Sequence, residues 1–158
     1  MTRSRVFIPS TLEQLAAFRD AGEVGPAPFG AHCAEMLRSD LPGVNEEELE
    51  YAAMVAASID SLRRIGSDGR PARVVIAADV STYSEDGPES EVAVTSNVSW
   101  VDVASVHVDT SDAQAAVLAA LQAPEDEILL ERVLEHELAW FARQEVDELL
   151  APTRRTEQ

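Results

Sequence analysis

The chain reads as an α+β domain, and three features of its sequence predict that class. Short β-rich runs bounded by Pro, Gly and Asp stand at 5–8, 73–80, 91–95 and 103–108. Helix-period apolar stripes with N-cap residues stand between and after them. No repeat and no long linker divides the 158 residues, a length that fits one domain with a real core. The expected order is β-α-α-α-β-β-β-α-α, a single four-stranded mixed sheet packed with helices. Residues 5–150 make one globular domain, and 151–158 a disordered tail.

Arg5-Val6-Phe7-Ile8 is the first strand, closed by Pro9. Ser10 and Thr11 precede Glu13 and Gln14 by three residues each, the spacing of a capping box. Leu12, Leu15, Ala16 and Phe18 then supply the stripe of a helix that stops near Gly22. Residues 22–30 form a Gly/Pro loop, and a shorter helix covers 31–38. After the turn Leu41-Pro42-Gly43, Asn45 with Glu48 caps a helix over 46–65, whose acids at 46, 47 and 48 suit the positive end of its dipole. Its inward stripe is Leu49, Ala52, Ala56, Ile59 and Leu62.

The run 73–80 is nearly continuous in apolar character, as in a strand buried on both faces or central in a sheet. Residues 81–90 are a polar loop, followed by strands at 91–95 and 103–108. Ser111 with Gln114 opens a helix over 112–122. A last helix covers 125–149, with Leu130, Val133, Leu134, Leu138, Phe141 and Val146 facing the core. A right-handed helical crossover makes the strands at 5–8 and 73–80 parallel. The strands at 5–8, 73–80 and 103–108 then all finish at one end of the sheet.

Twelve basic residues, all arginine, against 29 acidic ones give a net charge of −17. Nucleic-acid binding draws its affinity from basic groups on phosphates, so this chain is expected not to bind nucleic acid. The same sign disfavours an anionic membrane surface, and no apolar run approaches the ~20 residues that span a bilayer. Residues 111–158 carry eleven acids against four arginines, whereas residues 1–44 carry five against four. An acidic surface of that kind can meet a basic partner, or simply keep the chain soluble. One cysteine, Cys33, excludes an internal disulfide, and the expected location is cytoplasmic.

The familiar catalytic signatures are missing. His136-Glu137-Leu138-Ala139-Trp140 begins like a zinc-protease motif but places Trp140 where the second imidazole is needed. Cys33 sits in the expected short helix, where His32 diverges from it by about 100°, so a buried small residue is favoured over a nucleophile. Gly22-Glu23-Val24-Gly25 and Gly66-Ser67-Asp68-Gly69 lack the spacing and lysine of a phosphate loop. No catalytic residue, metal site or cofactor is assigned. The candidate ligand-binding residues are Thr11, Asp79, His107 and Asp109, expected together at the strand ends. His107 and Asp109 share a face by period-two alternation, and two helix N-termini begin at that edge. Such a set could hold hydrated Mg²⁺ with a phosphate ligand. The plain alternative is that Ser10 or Thr11 and Asp109 or Ser111 are N-caps and Asp79 a turn residue.

Arg5-Val6-Phe7-Ile8-Pro9-Ser10-Thr11, Glu46-Glu47-Glu48-Leu49-Glu50-Tyr51-Ala52-Ala53 and Val74-Val75-Ile76-Ala77-Ala78-Asp79-Val80 resemble segments of an actinobacterial family of small uncharacterised proteins, catalogued as domain of unknown function 6912. Val106-His107-Val108-Asp109 and His136-Glu137-Leu138-Ala139-Trp140-Phe141 fit the same pattern, so the resemblance runs over roughly residues 5–150. It implies a cytoplasmic actinobacterial protein and brings no activity, cofactor or catalytic residue. The expectation is a non-catalytic interaction or regulatory module that meets a protein partner or another copy of itself. The alternative is a phosphate-ligand or Mg-dependent binding protein or enzyme, with its site at the strand C-terminal ends.

Overall fold

The computed structural model describes residues 3–66, 69–85 and 87–151. The tail expected over 151–158 lies, from residue 152 onward, outside the described residues. The strands are β1 (Ser4–Ser10), β2 (Glu23–Val24), β3 (Phe29–Cys33), β4 (Val74–Val80), β5 (Tyr83–Glu85), β6 (Glu91–Val94), β7 (Val98–Ser99), β8 (Val103–Val108) and β9 (Ala139–Ala142). The helices are α1 (Leu12–Ala21), α2 (Glu46–Arg64), α3 (Gln114–Gln122), α4 (Glu127–Leu134) and α5 (Val146–Leu150). The α+β class stands, but the single four-stranded mixed sheet does not. Seven strands form the main sheet in the order β5-β6-β3-β1-β4-β8-β9, and β2 pairs with β7 in a separate ribbon. Every neighbouring pair is antiparallel.

The common direction expected for the strands at 5–8, 73–80 and 103–108 is therefore corrected, since β4 runs antiparallel to both β1 and β8. β1 and β4 run antiparallel, from Ser4 opposite Val80 to Ser10 opposite Val74. The physical reason is β3, which lies in residues read as a loop and a short helix. β3 and β4 flank β1 and are both antiparallel to it, so they run parallel to each other. The long helix α2 thus crosses from β3 to β4 above an intervening β1. Missing one strand inverted the direction assigned to the next.

The other large correction concerns the expected helix over 125–149. Asp126 caps α4 by accepting from the Ile128 and Leu129 amides, but the helix ends at Leu134. The chain then forms β9 along β8, with Trp140 opposite His107 and Phe141 opposite Val106. Helical period gives way to an open sheet edge that can pair these backbone groups. The expected helix at 31–38 is likewise the end of β3 and a 3₁₀ turn over Ala34–Leu37.

Two of the three expected caps formed; Ser111 instead lies in a 3₁₀ turn over Ser111–Ala113 that leads into α3 with no side-chain cap. Thr11 Oγ1 accepts the Gln14 amide at the start of α1, and Gly22 (φ 81°) ends it by donating to the Phe18 and Arg19 carbonyls. Asn45 caps α2 through the Glu48 amide, with Arg63 and Arg64 in its last turn. Its buried stripe is Leu49, Ala53, Ala57, Ser61 and Leu62, one residue round from the expected Ala52 and Ala56.

Period-two alternation divides the sheet between two cores. Val6, Ile8, Val74, Ile76, Val106 and Val108 face Leu12 and Leu15 of α1, Val146 of α5, and the β2–β7 ribbon. Phe7, Val75 and Ala77 face Leu49, Ala53 and Ala57 of α2 on the opposite side. The alanines let α2 lie close to the sheet. Ser61 Oγ pins it there, donating to the Ser10 carbonyl (2.7 Å) and accepting the Val74 amide (2.8 Å). Leu62 and Ile65 join Val117, Ala120 and Val133 in a third cluster beneath α3 and α4.

Candidate functional site

Seven strands spaced about 4.8 Å apart span roughly 29 Å, whereas one helix is about 10 Å wide. Among the described residues α2 is the one long helix packed on that face, so part of the face stays uncovered. A groove of about 340 Å³ opens there, beside α2 and above β4, β8 and β9. Its floor follows from register. Phe7 lies opposite Ala77, which lies opposite Ser105, while Val75, His107 and Trp140 form the next row. Glu47, Glu50, Tyr51 and Met54 of α2 form one wall, and Arg5 closes an end.

The polar chemistry of the floor is specific. Ser105 Oγ and His107 Nε2 stand 3.0 Å apart, joining two side chains on one face of β8. Burial, aided by the nearby Arg5 charge, holds the His107 imidazole below the usual histidine range. It is a neutral ring at pH 7, able to accept at one nitrogen and donate at the other. Arg5 Nε donates to Asp79 Oδ1 at 2.8 Å, and Nη2 lies 3.4 Å from Oδ2. That hydrogen bond, outweighing the desolvation that opposes it, raises the Arg5 pKa, with Asp79 and Glu50 adding their charge. Two aromatic side chains edge the groove and stay open to solvent: Tyr51 is 51% exposed and Trp140 61%. A second hollow of about 540 Å³ shares Arg5 and Glu50 and extends to Cys33 and Tyr83. Burial pushes the Cys33 thiol up, away from a reactive thiolate.

The four candidate residues do not meet at one edge. Thr11 and Asp109 lie at the end of the sheet where Ser10, Val74 and Val108 align. Asp79 lies at the opposite end, beside Arg5. His107 is the one of the four that lines the groove, and Asp79 reaches it through Arg5. Thr11 is engaged in capping α1. Asp109 holds Arg73, whose backbone N and Nε both reach Oδ2 at 2.9 Å while Nη2 reaches Oδ1 at 2.7 Å. Both side chains are buried, at 1% and 2% exposure. Arg73 Nη2 also donates to the His136 carbonyl (2.8 Å), which ties the start of β4 to the turn that leads into β9.

Sequence reasoning missed Arg5, Tyr51, Ser105 and Trp140 as neighbours of His107. The available signal was alternation: Ser105 and His107 are two apart in a strand, and Ala139–Ala142 places Trp140 and Phe141 on opposite faces. It also missed a buried chain in which His32 Nδ1 meets Ser90 Oγ and Nε2 meets Asp60 Oδ2, each at 2.7 Å. That order of groups resembles a hydrolytic triad. Yet Ser90 and His32 are only 3% and 6% exposed, so the chain acts as a tie between β3, α2 and the entry to β6.

A family model described as a family of unknown function, DUF6912, matches residues 4–150. No curated protein and no solved structure matches the chain. Among the described residues, no helix is long and apolar enough to cross a membrane.

Proposed function

We propose, for a chain that belongs to the family of unknown function DUF6912, that it is a non-catalytic interaction module whose recognition surface is the groove between α2 and β8–β9. The observation that carries this reading is the pair of exposed aromatics, Tyr51 and Trp140, on the rim of one groove. Large aromatic side chains left in water lose the burial that would favour them, and at recognition sites they are the residues that regain it on binding. Addition of a partner strand is disfavoured. The edge strands β5 and β9 are three and four residues long, and Glu145 already takes up the Ala142 amide at 2.8 Å.

A second reading has one observation behind it. Ser105 and His107 form a hydroxyl–imidazole pair with a neutral ring, the arrangement of a nucleophile and its base. Against it, Ser105 is buried at 5% exposure. The experiment is a fragment screen on ¹⁵N-labelled protein followed by chemical-shift mapping. Binding fragments are expected to shift the signals of Tyr51, His107 and the Trp140 indole together. Binders that cluster elsewhere, or none at all, contradict the proposal. Ester hydrolysis that Ser105→Ala abolishes replaces it with the second reading.

A further inference from the structure

We infer that the group taken by this groove is a planar cation, the guanidinium of an arginine side chain on a protein partner. The inference rests on the reading of the groove as a recognition surface and adds the chemistry of what it recognises. Arg5 is matched by Asp79, and His107 is neutral at pH 7, so neither brings an uncompensated positive charge. Glu47 and Glu50 bring two carboxylates from α2. The groove is therefore negative in balance, set in a chain of net charge −17, and a phosphate or carboxylate would enter against that field. A cation enters with it. Tyr51 and Trp140, both more than half exposed on the groove, offer aromatic rings whose quadrupoles attract a cation. Phe7 and Met54 supply apolar lining for a methylene stem. A guanidinium fits these partners better than an ammonium, because it stacks flat on aromatic rings, bridges a carboxylate with two N–H groups and is weakly hydrated.

The probe is Nα-acetyl-arginine amide, titrated into ¹⁵N-labelled wild-type protein. Nα-acetyl-citrulline amide, of the same shape without the charge, and Nα-acetyl-lysine amide serve as comparisons. The readout is the Trp140 indole signal, assigned with Trp140→Phe. Arginine amide is expected to shift it saturably and to bind about fivefold more tightly than citrulline amide, with lysine amide between them. Glu47→Gln, at an exposed position, and Glu50→Gln, at a half-buried one, are expected to narrow that difference, with the unfolding curve of each variant recorded beside its titration. Citrulline amide binding as tightly as arginine amide overturns the inference, since the groove then reads shape alone. An arginine-induced shift that spares Trp140 and spreads over the acidic surface of 111–150 also overturns it. If arginine fails while fragments still cluster on Tyr51, His107 and Trp140, the cationic anchor falls and the recognition surface stands. If neither clusters there, both fall.

Discussion

Removing Asp109 should damage this fold more than removing any exposed carboxylate. Asp109→Ala leaves the Arg73 guanidinium 2% exposed with the His136 carbonyl at 2.8 Å and Ser58 Oγ at 3.5 Å, and it deprives the Arg73 amide of its acceptor. An unpaired charge at that depth costs about 3–5 kcal/mol. For a chain of this length, that is a fall in Tm of about 6–20 °C. Arg73→Leu/Asp109→Leu removes both charges together, and buried pairs replaced by apolar groups are often neutral or better. The double variant is therefore expected to recover most of the loss. The assay is urea and thermal unfolding followed by circular dichroism, run on Asp109→Ala, on Arg73→Leu and Asp109→Leu singly, and on the double variant. A second readout is the Trp140 indole signal, because Arg73 anchors the turn that leads into β9. A loss below about 1 kcal/mol for Asp109→Ala, or single losses that simply add in the double variant, would refute the view that the pair is one buried unit.

Three further outcomes follow from the same structure. Leu49→Ala, at a fully buried position on the sheet-facing side of α2, should cost about 2–5 kcal/mol, and Leu138→Ala, at a half-buried position outside any helix, clearly less; equal losses in urea unfolding would contradict the placing of Leu138 at the margin of the core that Leu49 fills. His107 is held below its ordinary pKa of 6.5 by burial and by Arg5, so the unfolded chain takes up its proton first. Its contribution to stability is complete above about pH 6.5 and is lost as pH falls from there through the lowered folded value. His107→Gln should flatten that part of the stability–pH curve, and an unchanged slope would show that other groups produce it. Mobility assays with duplex DNA and single-stranded RNA at low salt should show no shift at micromolar protein, whereas a salt-sensitive shift would require basic contacts that a net charge of −17 does not offer.

What could be read from the sequence was what depends on near neighbours. Thr11 with Gln14 and Asn45 with Glu48 are three residues apart, and both caps formed as the spacing implied. The run from Val74 to Val80 announced a strand buried on both faces because every residue along it but Asp79 is apolar. β3 and β9 were not legible, because Phe-Gly-Ala-His-Cys and Ala-Trp-Phe-Ala become strands only beside β1 and β8, far away in sequence. On α2, Ala52/Ala56 and Ala53/Ala57 offer two small-residue stripes one residue apart, and only the sheet beneath decides between them. The site suffered most from parity. With β8 antiparallel to β4, Asp79 and Asp109 lie at opposite ends; with β1 antiparallel to β4, Arg5 stands beside Asp79 and near His107, whose neighbour on β9 is Trp140. Arg73 and Asp109 are 36 residues apart, and nothing local marks them as partners.

The claim that the groove beside α2 is where this protein meets its partner is tested most directly by fragment binding to Tyr51→Ser/Trp140→Ser. Both residues are more than half exposed, so the double variant should keep its unfolding free energy within about 1 kcal/mol of wild type, as surface substitutions usually do. Fragments that shift His107 and Ser105 in the wild type are expected to lose those shifts in the variant. Unchanged binding in a folded variant would contradict the account, and so would a variant that fails to fold, because the two aromatics would then belong to the core.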